Sequence, residues 1–332
     1  MPRPATTLHW ITKRAARHGI TLLERIGFDP EQQRDELLAG IGAKSAAIPP
    51  KYFYDDLGCA LYEAICELPE YYPTRTERAI LTAHRDEIVR AIGTRKQLVD
   101  LGAGDCAKAA LLLPAAQPRR YVAVDIAAAA IAPALLRMAQ AFPDVELCGV
   151  VTDFSQRLDV GDAIDSGPVT FFYPGSSIGN FAPDQALLLL RQVRELCAPG
   201  SGLLIGADTK KDSARLSAAY NDSLGVTAAF NRNILNHVNS ILGSNFDPSA
   251  FSHVAFYRED RGRIEMHLEA MTAQHVTGEG IERAFSAGER IHTENSYKYA
   301  THEFEALLRR AGFATVRSWR DAAADFAVYY AE

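Results

Sequence analysis

No run of ~18 apolar residues occurs anywhere in this 332-residue chain, so nothing in it reads as a membrane-spanning helix. Basic excess is also missing. Lys plus Arg is 35 against 41 for Asp plus Glu, a formal charge of −6, which argues against a non-specific nucleic-acid binder. Cysteine is scarce: Cys59, Cys66, Cys106, Cys148 and Cys197 are scattered, odd in number and form no C-x-x-C pair. That excludes a disulfide framework and fits a reduced, cytoplasmic compartment. The nine histidines show neither H-E-x-x-H nor H-x-x-x-H spacing, so no metal site is expected. No fixed-period repeat appears. Residues 1–17 carry Arg3, Lys13, Arg14 and Arg17 but lack the apolar core and cleavage site of a secretory signal. An amphipathic transit segment is the alternative there.

What is present is ordinary globular composition, 48% apolar and 23% charged, enough to build a large core. The length fits one large domain with an insertion, or two domains. Ser45 to Tyr54 reads as extended because of Pro49 and Pro50, Leu57 to Leu68 as a helix, and Thr76 to Ile92 as another. From residue 97 the pattern alternates. Strands are expected at 97–101, 120–125, 145–151, 169–173 and 203–208, with helices at 108–113, after 125 to Ala141, and at 182–196. Such alternation predicts a parallel sheet covered by helices on both faces. It stops near Lys210. Residues 211–242 read as helical and 251–293 as antiparallel strands; Thr301 to Ala311 is again a helix, followed by strands at 313–319 and 326–331. The chain therefore reads as an α/β domain interrupted at about 211–296, with the N-terminal segment packed on the insertion.

The first strand runs into Gly102-Ala103-Gly104, where glycine lets the backbone turn tightly and approach a ligand. The third glycine of a dinucleotide fingerprint is replaced by Ala107, and no G-K-[ST] follows, which excludes a P-loop. The acids are more informative. Asp100 precedes the turn. Asp125 ends the second strand, where a carboxylate can accept both ribose hydroxyls. Asp153-Phe154 ends the third, where an acid and a ring can hold an adenine. Acids at successive strand ends are the layout of S-adenosylmethionine-dependent methyltransferases. Taken singly, Asp125 and Asp153 can also be simple loop caps. Lys108 follows the turn and, with a helix N-terminus, would suit the cofactor's carboxylate. A nicotinamide oxidoreductase fits less well, since no Tyr-x-x-x-Lys stands suitably in the sheet domain.

Four strings carry a closer likeness: Tyr52-Phe53-Tyr54-Asp55 with Glu70-Tyr71-Tyr72-Pro73; Asp100 to Gly104 with Lys108; Tyr173-Pro174-Gly175-Ser176-Ser177-Ile178-Gly179-Asn180; and Ile291 to Lys298. On these the chain resembles the L-histidine Nα-methyltransferases of ergothioneine biosynthesis, from about Ile48 to the end. The resemblance implies a Rossmann-like class I methyltransferase sheet (76–210 plus 297–332) and an inserted α+β substrate-binding domain (1–75 plus 211–296). It implies trimethylation of histidine to the betaine hercynine, with S-adenosyl-L-methionine as cofactor. It implies a small-molecule substrate, no nucleic acid or membrane partner, and a monomer. Gly102, Gly104, Lys108, Asp125, Asp153 and Phe154 would bind the cofactor. Gly175, Asn180 and Tyr220 would hold the amino acid's backbone end, with Tyr72 favoured over Tyr71 beside the amine. Tyr72, Asn180 and Gly175 would thus be the catalytic set, and Met266, Glu294 and Ser296 would line the side-chain pocket. Glu294 and Ser296, two apart in a strand, face one side and can bond both imidazole nitrogens. Without the resemblance, Glu294 could instead pair with Lys298 or Arg290. Another amino acid or an indole-containing amine as acceptor, or a non-catalytic cofactor-binding module, are the competing readings.

Overall fold

In the computed structural model, residues 19–24, 30–155 and 157–332 are described. The amphipathic segment at 1–17 lies outside them. The strands are β1 (Thr21–Glu24), β2 (Gln97–Leu101), β3 (Arg120–Asp125), β4 (Glu146–Val151), β5 (Val169–Tyr173), β6 (Gly202–Asp208), β7 (Phe251–Arg258), β8 (Arg263–Ala270), β9 (Gln274–Gly278), β10 (Ile281–Phe285), β11 (Arg290–Tyr297), β12 (Val316–Arg320) and β13 (Phe326–Ala331).

Eight of them form one sheet in the order β1-β4-β3-β2-β5-β6-β13-β12. Pairing is parallel from β1 to β6, and antiparallel where β13 joins β6 and β12 joins β13. Strands β2, β5 and β6 are buried along their whole length, as expected where helices cover both faces. On one face Val99, Val122, Phe171, Leu203 and Tyr329 pack with helices Pro183–Glu195 and Thr301–Arg310. On the other, Leu98, Tyr121, Phe172, Leu204 and Tyr330 pack with helices Tyr72–Ala83, Arg85–Ile92 and Ala128–Ala141. The order reverses between β2 and β5, and the ends of β2, β3 and β4 all open on the same edge. Class I methyltransferase topology, expected from the sequence, is what the strand order describes.

A second apolar core lies outside this sheet. Helix Val226–Leu242 packs on helix Asp56–Cys66, on helix Pro30–Gly42 and on the 3₁₀ turn Pro50–Phe53, with Phe53 stacked on Phe230 at 4.5 Å. A three-stranded sheet, β11-β8-β7, and a β9-β10 hairpin complete it.

Local differences from the sequence reading have physical reasons. The segment Thr76 to Ile92 divides at His84 into two helices, the second opening on Asp86 and Glu87 in its first turn. The helix expected at 108–113 is two short ones, Ala107–Ala110 and Leu113–Ala116, because Pro114 cannot donate the N–H that would continue the first. The N-terminal segment does not pack solely on the insertion: Thr21–Glu24 adds a parallel strand to the edge of the large sheet, too short to give a periodic signal.

Two bodies meet at the 3₁₀ turn Ser177–Asn180, which packs against β11. Gly179 makes the approach possible: a Cβ there would stand 2.7 Å from the Tyr297 carbonyl oxygen. The Tyr297 amide nitrogen would be 3.2 Å away, and both atoms are backbone and cannot swing away. Gly179→Ala is therefore expected to cost about 1–3 kcal/mol through overpacking. The check is urea unfolding, where the midpoint should fall with the slope unchanged.

Candidate active site

The carboxyl edge of the sheet builds the first half of the site. After β2 the chain turns through Gly102 (φ +69°) and Gly104 (φ +51°), left-handed conformations that favour glycine. The Gly102 amide donates to the Val124 carbonyl at 2.8 Å, holding the turn against β3. Among the described residues nothing stands within 4 Å of a Cβ placed on Gly104, and only a Tyr173 ring carbon at 4.0 Å is met from Gly102. Asp125 accepts from the Gly104 amide (Oδ2, 2.9 Å) and the Ala127 amide (Oδ1, 2.9 Å), with the Ile126 amide also close, so backbone donors orient the carboxyl at the strand end. An open glycine cradle beside such a carboxylate fits a ribose-bearing cofactor. Phe154 sets its ring edge-on to Tyr173 at 5.8 Å.

Asp153 is less open than its position suggested. It forms an ion pair with Lys51 at 2.9 Å and accepts from Ser155. Burial works against its charge, but the hydrogen bonds from Ser155 and Lys51 hold the carboxyl below its ordinary range. Lys51 also reaches Glu36 at 2.7 Å, so the N-terminal segment is tied to the end of β4.

Lys108 pairs with the buried Glu77 at 2.6 Å. The same carboxylate accepts the Gly175 amide at 2.9–3.0 Å. Gly206 gives Glu77 its room, since a Cβ there would fall 2.0 Å from Oε1. Glu77 thus joins the Gly turn to the Gly175 turn. Sequence reasoning missed it because a helical Glu reads as a solvated charge.

The second half is a small cavity between the sheet edge and β11. Gly175, Asn180, Tyr220, Glu294 and Ser296 all line it, as do Tyr54, Tyr62 and Tyr71. Two expected residues do not. Tyr72 begins a helix and turns inward, its hydroxyl donating to Asp208 at 2.8 Å and accepting from Lys211 at 2.6 Å. Tyr71, one residue outside the helix, faces the cavity instead; successive residues at a helix start point ~100° apart. Met266 stands in register with Glu294 across the β8–β11 pair, but its side chain packs in the second core. Tyr220 is in the cavity, yet its hydroxyl bonds Ser296 at 2.8 Å, on the side-chain pocket rather than apart from it.

A bulge in β11 aims the pocket. The register shifts between His292 and Glu294, and the extra residue, Thr293, turns its hydroxyl to Asn231 at 2.7 Å. Glu294 is 8% exposed, and among the described residues nothing donates a hydrogen bond to its carboxylate. Neither pairing weighed for it forms: Lys298 bonds Asp208 at 2.8 Å and Arg290 bonds Glu269 at 2.7 Å. Burial pushes the Glu294 carboxyl up to about 7, against the pull of Lys298. Among the described residues there is no cluster of three metal-ligating side chains, and no helix long and apolar enough to cross a membrane.

The raised Glu294 value has a consequence for stability. Between the ordinary carboxyl value and about 7 the folded state binds the extra proton, so stability falls as pH rises through that window. Glu294→Gln removes the effect. The variant should exceed the parent at pH 8 by on the order of 2 kcal/mol and match it at pH 4. Urea titrations at the two pH values check it.

The chain's relatives fall in one family. A family model described as histidine-specific methyltransferase, SAM-dependent, matches residues 33–332. The histidine N-alpha-methyltransferase of Mycolicibacterium smegmatis is 40% identical over 302 residues, covering 89% of this chain and 93% of that protein. That of Mycobacterium tuberculosis is 38% identical over 299 residues, covering 88% and 92%. Ergothioneine biosynthesis protein 1 of Schizosaccharomyces pombe is 28% identical over 328 residues, which are 93% of this chain and 42% of that longer protein. On that match over residues 33–332 and these identities, this chain belongs to the S-adenosylmethionine-dependent, histidine-specific methyltransferase family.

Proposed function

We propose that the protein methylates the α-amine of L-histidine three times, giving hercynine, in ergothioneine biosynthesis. The observation that carries this reading is Glu294, a buried carboxylate on the cavity wall without a hydrogen-bond donor, beside Ser296. With no donor to it among the described residues and its side chain on the cavity wall, this carboxyl is free to accept an imidazole N–H. Other relatives of histidine in shape but without the N–H leave the carboxylate unmatched, which is how a polar pocket discriminates strongly.

S-adenosylmethionine supplies an electrophilic methyl group when bound. Gly102, Gly104, Lys108, Asp125, Asp153 and Phe154 are the residues we assign to hold it. Gly175 and Asn180 are assigned to the amino acid's backbone end. Tyr71 takes the place first given to Tyr72. Removing the acceptor amine from water favours its neutral, nucleophilic form. Tyr54, Tyr62 and Tyr71 wall the cavity with aromatic rings, suited to a growing quaternary ammonium through cation–π attraction. Position and exclusion of water do most of the work, and no strong base is needed.

We assign the methyltransferase domain to 76–210 plus 297–332 and the substrate-binding domain to 211–296 plus the N-terminal segment, with Thr21–Glu24 counted in the large sheet. The protein works on a small molecule, as a monomer in the cytoplasm.

Calorimetric titration of histidine into the protein saturated with S-adenosylhomocysteine tests the assignment. Glu294→Ala should weaken histidine by ~100-fold or more, while a large apolar amino acid is not weakened. Equal histidine affinity in parent and variant would remove Glu294 from the pocket. Asn180→Ala should weaken both ligands alike.

A further inference from the structure

One wall of the cavity is a buried polar cluster in which Lys298 and Asp208 have no part in the proposed chemistry. Lys298 follows β11 and is 2% exposed. Its ammonium has three hydrogens, and three acceptors surround it: Asp208 Oδ2 at 2.8 Å, Ser296 Oγ at 2.9 Å and the Tyr220 hydroxyl at 3.0 Å. Asp208 also receives Tyr72 and Lys211. Burial opposes the charge on Lys298, but Asp208 beside it keeps the ammonium protonated, above its ordinary value.

An ammonium only donates. Both hydroxyl oxygens therefore accept from Lys298. Tyr220 and Ser296 share one further hydrogen bond, at 2.8 Å, in which the tyrosine donates. A phenol is the stronger acid and the weaker acceptor of the two, so that direction is the favoured one. Ser296 Oγ then accepts twice and has no lone pair left. What it retains is its own hydrogen, and the cavity it shares with Glu294 is where that hydrogen can be donated.

We propose that Lys298, held by Asp208, is a positioning residue that fixes Ser296 as a donor, so that the pocket takes a neutral imidazole in a single tautomer and rejects the imidazolium. The inference rests on histidine being the substrate. A neutral ring offers one N–H to Glu294 and one bare nitrogen to Ser296. An imidazolium turns a second N–H toward a hydroxyl that cannot accept it. Of the charges around the pocket, Lys298 and Lys211 share the single carboxylate of Asp208 at the end of β6, an excess of positive charge that opposes a second ring proton; Glu294, on the cavity wall from β11, pulls the other way when ionised, and Tyr54, Tyr62 and Tyr71 complete the wall without charge.

The test is nitrogen NMR of ring-labelled histidine bound to the whole chain with S-adenosylhomocysteine, from pH 5.5 to 8. The wild-type complex should show one protonated and one bare ring nitrogen at least one pH unit below the ordinary histidine value of ~6.5. Two protonated nitrogens at pH 6 would overturn the inference and leave the histidine assignment standing. No bound histidine at all would overturn both. In Lys298→Met, Ser296 regains a lone pair, and the bound ring should take up its second proton at a pH at least one unit higher than in wild type. Should that variant fail to fold, Ser296→Ala removes the donor directly and predicts the same upward shift. An unchanged titration in a folded Lys298→Met protein would show that Lys298 does not set the direction.

Discussion

The Lys298–Asp208 ion pair is the constraint around which the site is assembled. Asp208 is the last residue of β6, and Lys298 is the first after β11, so one buried contact joins the large sheet to the inserted sheet. The backbones close around it: the Tyr299 amide donates to the Asp208 carbonyl at 3.1 Å, and the Lys298 amide to Gly262 at 2.8 Å. Removing two charges from water is expensive, and their mutual attraction offsets it only when every remaining donor and acceptor is matched. Here it is matched, by Tyr72, Lys211, Tyr220 and Ser296. A second buried carboxylate, Glu77, follows the same rule with Lys108 and the Gly175 amide. Glu294, four residues before Lys298, differs: it lines the cavity and, among the described residues, receives no hydrogen bond. A carboxyl left free on the wall, close to ion pairs that are fully matched, is what marks the cavity as built for a ligand.

Rigidity follows from the same arrangement. The turn that carries Asn180 is pinned between the β6 end and β11, because Ser176 accepts the Asp208 amide at 2.9 Å and Gly179 lies against Tyr297. The residues assigned to the amino acid's two ends are thus held by one framework, with little freedom to adjust their spacing. Such preorganisation is what in-line transfer to an amine asks of a protein.

Much of this was legible in the residues. Continuous apolar runs such as Phe171-Phe172-Tyr173 announced buried parallel strands, and acids at their ends announced where the edge would face a ligand. Glu294 and Ser296 were legible only through the family resemblance, with strand alternation adding that they share a face; the bulge at Thr293 that aims them was not, since a bulge has no residue pattern of its own. Glu77 and Asp208 were not singled out, and Lys298 was weighed only as a partner for Glu294, because their meaning is a long-range pairing between elements far apart in the chain. Tyr71 and Tyr72 show the finest limit. Two identical side chains in adjacent positions differ only in which one enters the helix, and that is decided by packing against Asp208. Met266, given to the pocket by the resemblance, is in register with Glu294, yet the core claims its side chain.

The most direct measurement is mass spectrometry of the purified protein incubated with S-adenosylmethionine and all the standard amino acids together. The account predicts that histidine alone gains mass, by three methyl units. A gain on a different amino acid, or on none, would contradict it.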